Sequence, residues 1–257
     1  IPIAINFILA FVLKVPIWVN IIWFLIFRAG YNVGLGYLLH VQSNYNQITH
    51  WYRQFAKKQP TSPLGQLFNR LVDGGLPEGS TQGDFPDAFN AWILYKGIVN
   101  ASLVNDSTSY FFLAARCFTA PESITVALLL QYFLAFLLVV FFIWAKYDSH
   151  RCIGTYCWYW GDFFYRKHVS LTFDGIFELF PHPMYTVGYS AYYATVLITQ
   201  SYTMLFCSLV AHMSQLLFLV FVEEPHIKKI YGDSEGTVER DEAALYDGQK
   251  GWFPSRT

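Results

Sequence analysis

Between Ser123 and Ala145 the chain reads SITVALLLQYFLAFLLVVFFIWA, an apolar run without a charged side chain. A hydrocarbon layer of about 30 Å takes about 20 helical residues to cross, so this run predicts a membrane-spanning helix. From Leu179 to Val222 there is again no Asp, Glu, Lys or Arg. That length allows two crossings joined by a turn near Gln200 and Ser201, and it predicts a transmembrane hairpin over 179–222. Residues 1–27 are strongly apolar but contain Lys14 and Pro16. They read either as one kinked span or as the end of one helix followed by another.

After them the pattern becomes gradually polar from Arg28 to Lys58, with Gly30, Gly34 and Gly36 allowing close helix contact. This predicts a helix leaving the bilayer with an amphipathic end. Residues 59–87, rich in Pro, Gly, Ser and Thr, read as a surface loop. The segment 88–117 is apolar but interrupted by Lys96, Asn100, Asn105 and Asp106, which fits a packed or partly inserted helix as well as a full crossing. NAS at Asn100 and NDS at Asn105 match the glycosylation sequon, a pattern common by chance.

Composition agrees with lipid. Of the 257 residues 54% are hydrophobic and only 14% charged, where a soluble domain carries about a quarter charged. The formal net charge of -1 supplies no basic face for nucleic acid. Cys117, Cys152, Cys157 and Cys207 form no CxxC pair, so neither a metal site nor a disulfide framework is expected. The chain starts IPIAINF rather than with Met, and the expectation is a piece of a longer chain, with a polar tail over 225–257. The fold class is all-α: a single polytopic helical membrane bundle over 1–257 ending in a two-helix hairpin.

Lys146, Arg151, Arg166 and Lys167 separate the long run from the hairpin, and Lys228 and Lys229 follow it, while only Arg116 lies close before the long run. The positive-inside rule then puts both ends of the hairpin on the cytosolic side. PHPMY (181–185) and EEP (223–225) therefore meet on one membrane face. Pro183 suits a first helical position, leaving His182 near a cap where free N–H groups favour an anion, with Tyr185 three residues on. Pro225 disfavours helical geometry at Glu224, so the second helix is expected to stop there and present two carboxylates suited to a cation or amine. Together these ends match a zwitterionic amino-acid group. Prolines and charges at helix ends are also ordinary boundary features, and spacing alone does not choose between the two readings.

FELFPHPMYTVGYSAYY followed by FVEEPHIKKIYG resembles the phospholipid methyltransferase family, and KYDSHR, WYWGDFF and YNVGLGYLLHVQSNY extend the resemblance toward its fungal endoplasmic reticulum members, which hold two tandem methyltransferase-like units. The resemblance implies S-adenosylmethionine as methyl donor and phosphatidylethanolamine as the lipid acceptor, in an endoplasmic reticulum membrane protein whose site faces the cytosol. It places Glu223 and Glu224 on the cofactor's amino group or ribose and His182 and Tyr185 on its carboxylate end. Gly188, Gly161 and Asp162 become cofactor neighbours, and the remainder of the longer chain a partner. Phe180 and Pro181 stand where relatives often carry a basic or amide residue, and the glycine-rich nucleotide element is reduced to Gly154 and Gly161.

Methyl transfer to an ammonium needs a proton acceptor. His182 and Glu178 are the candidates for catalysis, with Asp174 and Asp148 also near that face. His150, His168 and His226 are expected at the surface, and His212 as a hydrogen-bonded packing residue. Two other classes remain: a related membrane methyltransferase or reductase, and a non-catalytic scaffold or transporter. A transporter is expected to carry ionisable groups near the bilayer midplane, whereas the groups noted here lie at span ends.

Overall fold

The computed structural model describes residues 2–13, 15–166 and 174–231. Lys14, Lys167, His168 and the tail from residue 232 onward lie outside the described residues.

Every regular element among the described residues is helical. The first, α1, covers Pro2–Val12 and α2 covers Ile17–Tyr45. Pro16 sits between them with φ -52° and ψ 145°, extended backbone that starts a new helix. The apolar N-terminus is thus two helices rather than one kinked span. Three helices, α2 among them, are long and apolar enough to cross a membrane.

Arg28 lies mid-way along α2, buried in the bundle beside Asp106. Asp106, buried with it, supplies the counter-charge. The helix stops at Asn46, whose left-handed φ of 50° breaks the hydrogen-bond ladder.

The short α3, Gln47–Trp51, runs into a widened turn over Tyr52–Lys58. Residues 59–87, expected as a surface loop, contain the helix α4, Pro63–Asp73. Pro63 is pre-set for a first helical turn, and the Ser62 hydroxyl accepts from the Gly65 amide at 3.0 Å. The remainder of that segment ends in a Thr81/Asp84 capping box.

Helix α5, Asp87–Cys117, is continuous through Lys96 and Asp106. Its polar groups are absorbed by packing: Asn90, Asp106 and Ser109 are buried in the bundle. Arg53 and Lys57 both reach Asp87 at its start, at 2.7 and 2.5 Å.

The long apolar run forms α6, Val126–Trp158, capped by Thr125, whose hydroxyl accepts from the Leu128 amide at 3.2 Å. Leu130, Phe133, Phe136 and Ile143 stand exposed along it, the outward face of a helix solvated by lipid tails. Near its end Gly154 adopts φ 68°, and the axis kinks there.

Beyond the stub α7, Ile176–Leu179, lie α8, Ser190–Thr199, and α9, Tyr202–Ile230. The chain reverses between the last two through Gln200 at φ 51°, where the pattern put the turn. The two arms are unequal, however: α8 has 10 residues, about 15 Å of helix.

Two apolar clusters hold the bundle. One joins Leu35, Leu39, Tyr52, Trp92 and Tyr95 to Trp160, Phe164 and Phe218. The other packs Phe24 and Tyr110 against Met204, Cys207 and Ala211.

Candidate functional site

PHPMY is not a helix start. Pro181–Thr186 is a set of turns, Val187–Tyr189 a single 3-10 turn, and the helix begins at Ser190. His182 takes a left-handed φ of 48°, and its carbonyl accepts from the amides of both Tyr185, at 2.9 Å, and Thr186, at 3.1 Å. The Gly188 amide donates to the Pro183 carbonyl at 2.8 Å. Local turn bonds therefore outcompete the helical path that Pro183 alone suggested.

Neighbouring helices hold this loop. Lys146 at the end of the apolar part of α6 donates to the Met184 carbonyl at 3.1 Å. His212 of α9 meets the Tyr185 carbonyl through Nε2 at 3.0 Å and the Tyr193 hydroxyl through Nδ1 at 2.8 Å. Because a carbonyl only accepts, Nε2 carries the proton and the Tyr193 hydroxyl donates to Nδ1. His212 is the hydrogen-bonded packing residue the pattern suggested, and what it packs is the Tyr185 backbone.

Gly188 is required by space. A Cβ there would stand 2.8 Å from the Pro183 oxygen and 3.3 Å from Lys146 Nζ. Gly188→Ala is expected to cost about 1–3 kcal/mol of stability, the usual penalty of overpacking. A thermal midpoint equal to wild type in detergent would contradict the tight contact.

The far end of the hairpin also differs from expectation. Leu219–Glu223 is a π-helical turn, and the helix continues through Glu224 and Pro225 to Tyr231. The Glu224 amide reaches back to the Leu219 carbonyl. This extra residue per turn relieves the clash a proline normally makes with the preceding turn, so Pro225 does not end the helix.

Adjacent residues on a helix cannot face one way, and the two glutamates separate. Glu224 points out toward Lys228 Nζ, 3.9 Å away. Glu223 points in, where it interacts with Tyr185 and Trp160, and Asp162 adds a second negative charge nearby. Its Oε2 is buried without a partner, and so is the hydroxyl of Tyr95, which also interacts with Glu223. The orphaned Glu223 Oε2 and Tyr95 hydroxyl, with the Asp162 carboxylate nearby, fit a cationic, hydrogen-bonding group such as an amino-acid ammonium.

The structure thus unites Tyr185, Glu223, Gly161 and Asp162. Gly161 lies under Tyr156, whose ring a Cβ would meet at 2.3 Å. His182 and Glu178 are exposed, the first in the turn and the second on α7. Asp148, named as another proton acceptor, is instead paired with Arg151 and accepts from the Ile176 amide at 2.8 Å.

Sequence reasoning missed His226. Expected at the surface, it is 5% exposed, stacked on Phe163 at 3.4 Å between centroids and bonded through Nδ1 to the Ser43 hydroxyl at 2.8 Å. Its Nε2 stands 3.8 Å from Asp162 Oδ2. The sequence signal was its place three residues after Glu223, on the same helical face. Trp160 entered the sequence reading only within the motif WYWGDFF.

A second buried polar group lies deeper, among α2, α5 and α8. Arg28 pairs with Asp106, donates to the Tyr189 hydroxyl at 3.2 Å and also bonds the Tyr192 hydroxyl. Tyr189 in turn donates to Gln215 at 3.0 Å, and its ring stacks on His212 at 4.9 Å. Ionisable groups are therefore not confined to span ends. Here they are neutralised within the bundle and linked through His212 to the site.

Fold and site together define an all-α membrane bundle in which Glu223, Tyr185 and Asp162 come together where α9 meets the 181–189 loop. Residues 130–234 match the family described as phospholipid methyltransferase. It is 41% identical over 226 residues to a phosphatidylethanolamine N-methyltransferase of Arthroderma otae, covering 85% of this chain and 23% of that protein. It is 40% identical over 243 residues to one of Aspergillus terreus, covering 90% and 25%. The corresponding protein of Aspergillus fumigatus is 38% identical over 243 residues, with 90% and 26% covered. The chain spans about a quarter of the length of these relatives. No solved structure matches it.

Proposed function

We propose that the chain binds S-adenosylmethionine at the site around Glu223 and takes part in N-methylation of phosphatidylethanolamine, a step of phosphatidylcholine synthesis. The observation that carries this reading is the unpartnered Oε2 of Glu223 beside Tyr95, Tyr185 and Asp162. Glu223 holds the cofactor's ammonium, with Asp162 close enough to share its charge or a ribose hydroxyl. Tyr185 and His182 face its carboxylate end, and Glu224 adds negative potential at the mouth. Gly161 and Gly188 keep the backbone close where a side chain would intrude.

When bound, the cofactor supplies an electrophilic methyl on a positive sulfonium. What remains for the protein is to hold the lipid amine in line, strip its proton and keep out water. The exposed His182 accepts that proton, and Glu178 on α7 is the nearby alternative. The basic residues flanking the hairpin support a cytosol-facing site, and the family's lipid chemistry supports the endoplasmic reticulum as its membrane. The length of the relatives supports a second methyltransferase-like unit as partner in the same polypeptide.

The test is incubation of membranes carrying the protein with methyl-labelled S-adenosylmethionine and phosphatidylethanolamine. Labelled phospholipid is expected from wild type and not from Glu223→Gln/Glu224→Gln. Absence of label from wild type, with the protein folded, would sink the proposal.

A further inference from the structure

Lys146 is the first charge after the apolar run of α6. From Val126 to Ala145 the helix has roughly 20 residues, about 30 Å, which is the thickness of a hydrocarbon core. Lys146 therefore lies at the depth of lipid phosphates. Trp144 and Tyr147, both exposed on the same helix, are the aromatic side chains usual at that level.

Most interfacial lysines extend to water. This one turns inward. Its Nζ lies over the rings of Trp158, at 5.9 Å, and Tyr189, at 5.7 Å, against Gly188. It donates one hydrogen bond, to Met184, and no carboxylate pairs with it among the described residues. Two of its three N–H donors are thus left for another acceptor. Met184 is adjacent to Tyr185, which interacts with Glu223, so the ammonium is tied to the loop that carries a site residue.

We propose that Lys146 binds the phosphodiester oxygen of the lipid substrate and so sets the depth and direction of its amine. The inference rests on the methyltransferase reading for its purpose, and on geometry for the contact. In an ethanolamine phospholipid only two carbons separate the phosphate ester oxygen from the nitrogen. A cation gripping the phosphate beside the Tyr185 loop leaves the amine within reach of the Glu223 site. Trp158 and Tyr189 flank the ammonium and keep it from snorkelling outward. The shared chemistry is a phosphate oxygen; a membrane lipid is the source favoured by the depth of Lys146.

The experiment compares wild type, Lys146→Gln and Lys146→Arg in proteoliposomes and in native mass spectrometry. Lys146→Gln is expected to raise KM for phosphatidylethanolamine about tenfold or more, the worth of a charge-assisted hydrogen bond. Lys146→Arg should stay within about threefold, since it retains the charge at that depth. Equilibrium binding of S-adenosylmethionine should be the same in all three. A long-chain primary amine lacking phosphate should be methylated equally by wild type and Lys146→Gln.

Parallel loss of S-adenosylmethionine affinity in Lys146→Gln would overturn the proposal, because Lys146 would then merely brace the Met184 loop. An unchanged KM for the lipid would overturn it too. Inorganic phosphate competing as strongly as the lipid would overturn the lipid source. Mass spectrometry separates this proposal from the one it rests on: Lys146-dependent retention of phosphatidylethanolamine by a wild type that transfers no methyl would sustain the contact and refute the enzyme.

Discussion

Glu223→Gln is expected to weaken S-adenosylmethionine binding at least about thirtyfold, while Glu224→Gln changes it less than about threefold. Truncating one partner of a buried charged contact costs 2–5 kcal/mol, and each 1.4 kcal/mol is a factor of ten. An exposed pair such as Glu224 with Lys228, at 3.9 Å, contributes about 0–1 kcal/mol. The asymmetry follows from adjacency on a helix: the π-helical turn ending at Glu223 rotates that side chain inward and leaves its neighbour outside. Equilibrium dialysis with labelled cofactor on purified protein measures both constants. Equal effects at the two positions, or none at Glu223, would remove Glu223 from the cofactor site.

The second large effect concerns the interior. Asp106→Ala is expected to destabilise the bundle by about 3–5 kcal/mol, because it strands a buried guanidinium. Arg28 and Asp106 are 3% and 1% exposed, and each already has one orphaned atom, Nε and Oδ1. Neither can turn to water. The double change Arg28→Met/Asp106→Leu should recover most of the loss, since no charge then remains to be neutralised. Denaturant unfolding in bilayer discs, compared across the single and double variants, provides the measurement. A loss below about 1 kcal/mol in the single variant would show that the pair is wetted or dispensable.

This pair also has a route to the site. Arg28 positions Tyr189, Tyr189 stacks on His212, and His212 holds the Tyr185 carbonyl. The double variant is therefore expected to keep its stability yet lose cofactor affinity by a few fold. Such a split would distinguish a positioning role from a purely structural one.

Much of this was legible along the chain. An uncharged run of 23 residues from Ser123 has one low-energy solution in lipid, a helix that satisfies its own backbone. The turn near Gln200 was placed by the same argument and PHPMY does meet EEP, but α8, with 10 residues, is too short for the full crossing that argument assumed. Tyr185 and Glu223, which the structure brings together, lie in those two motifs.

What failed did so where a local rule met a tertiary partner. Pro183 and Pro225 are ordinary helix signals, yet the first sits in stacked turns tied to Lys146 and the second inside a helix loosened by a π turn. His226 was read by polarity as exposed and Arg28 as the start of a polar stretch, and both are buried because Asp106, Ser43 and Phe163 come from distant parts of the chain to meet them. Residues 59–87 have a loop's composition, but Ser62 and Pro63 nucleate a helix within it.

By itself the sequence determined that this protein is a helical membrane bundle, where its longest crossing lies and which two motifs converge. Periodicity and solvation decide those matters residue by residue, without reference to partners. Only the tertiary structure decided which glutamate faces inward, that His226 is buried and that Lys146 turns inward. Those outcomes depend on the rotation of packed helices and on counter-charges far apart in the chain, and one residue added to a helical turn is enough to change them.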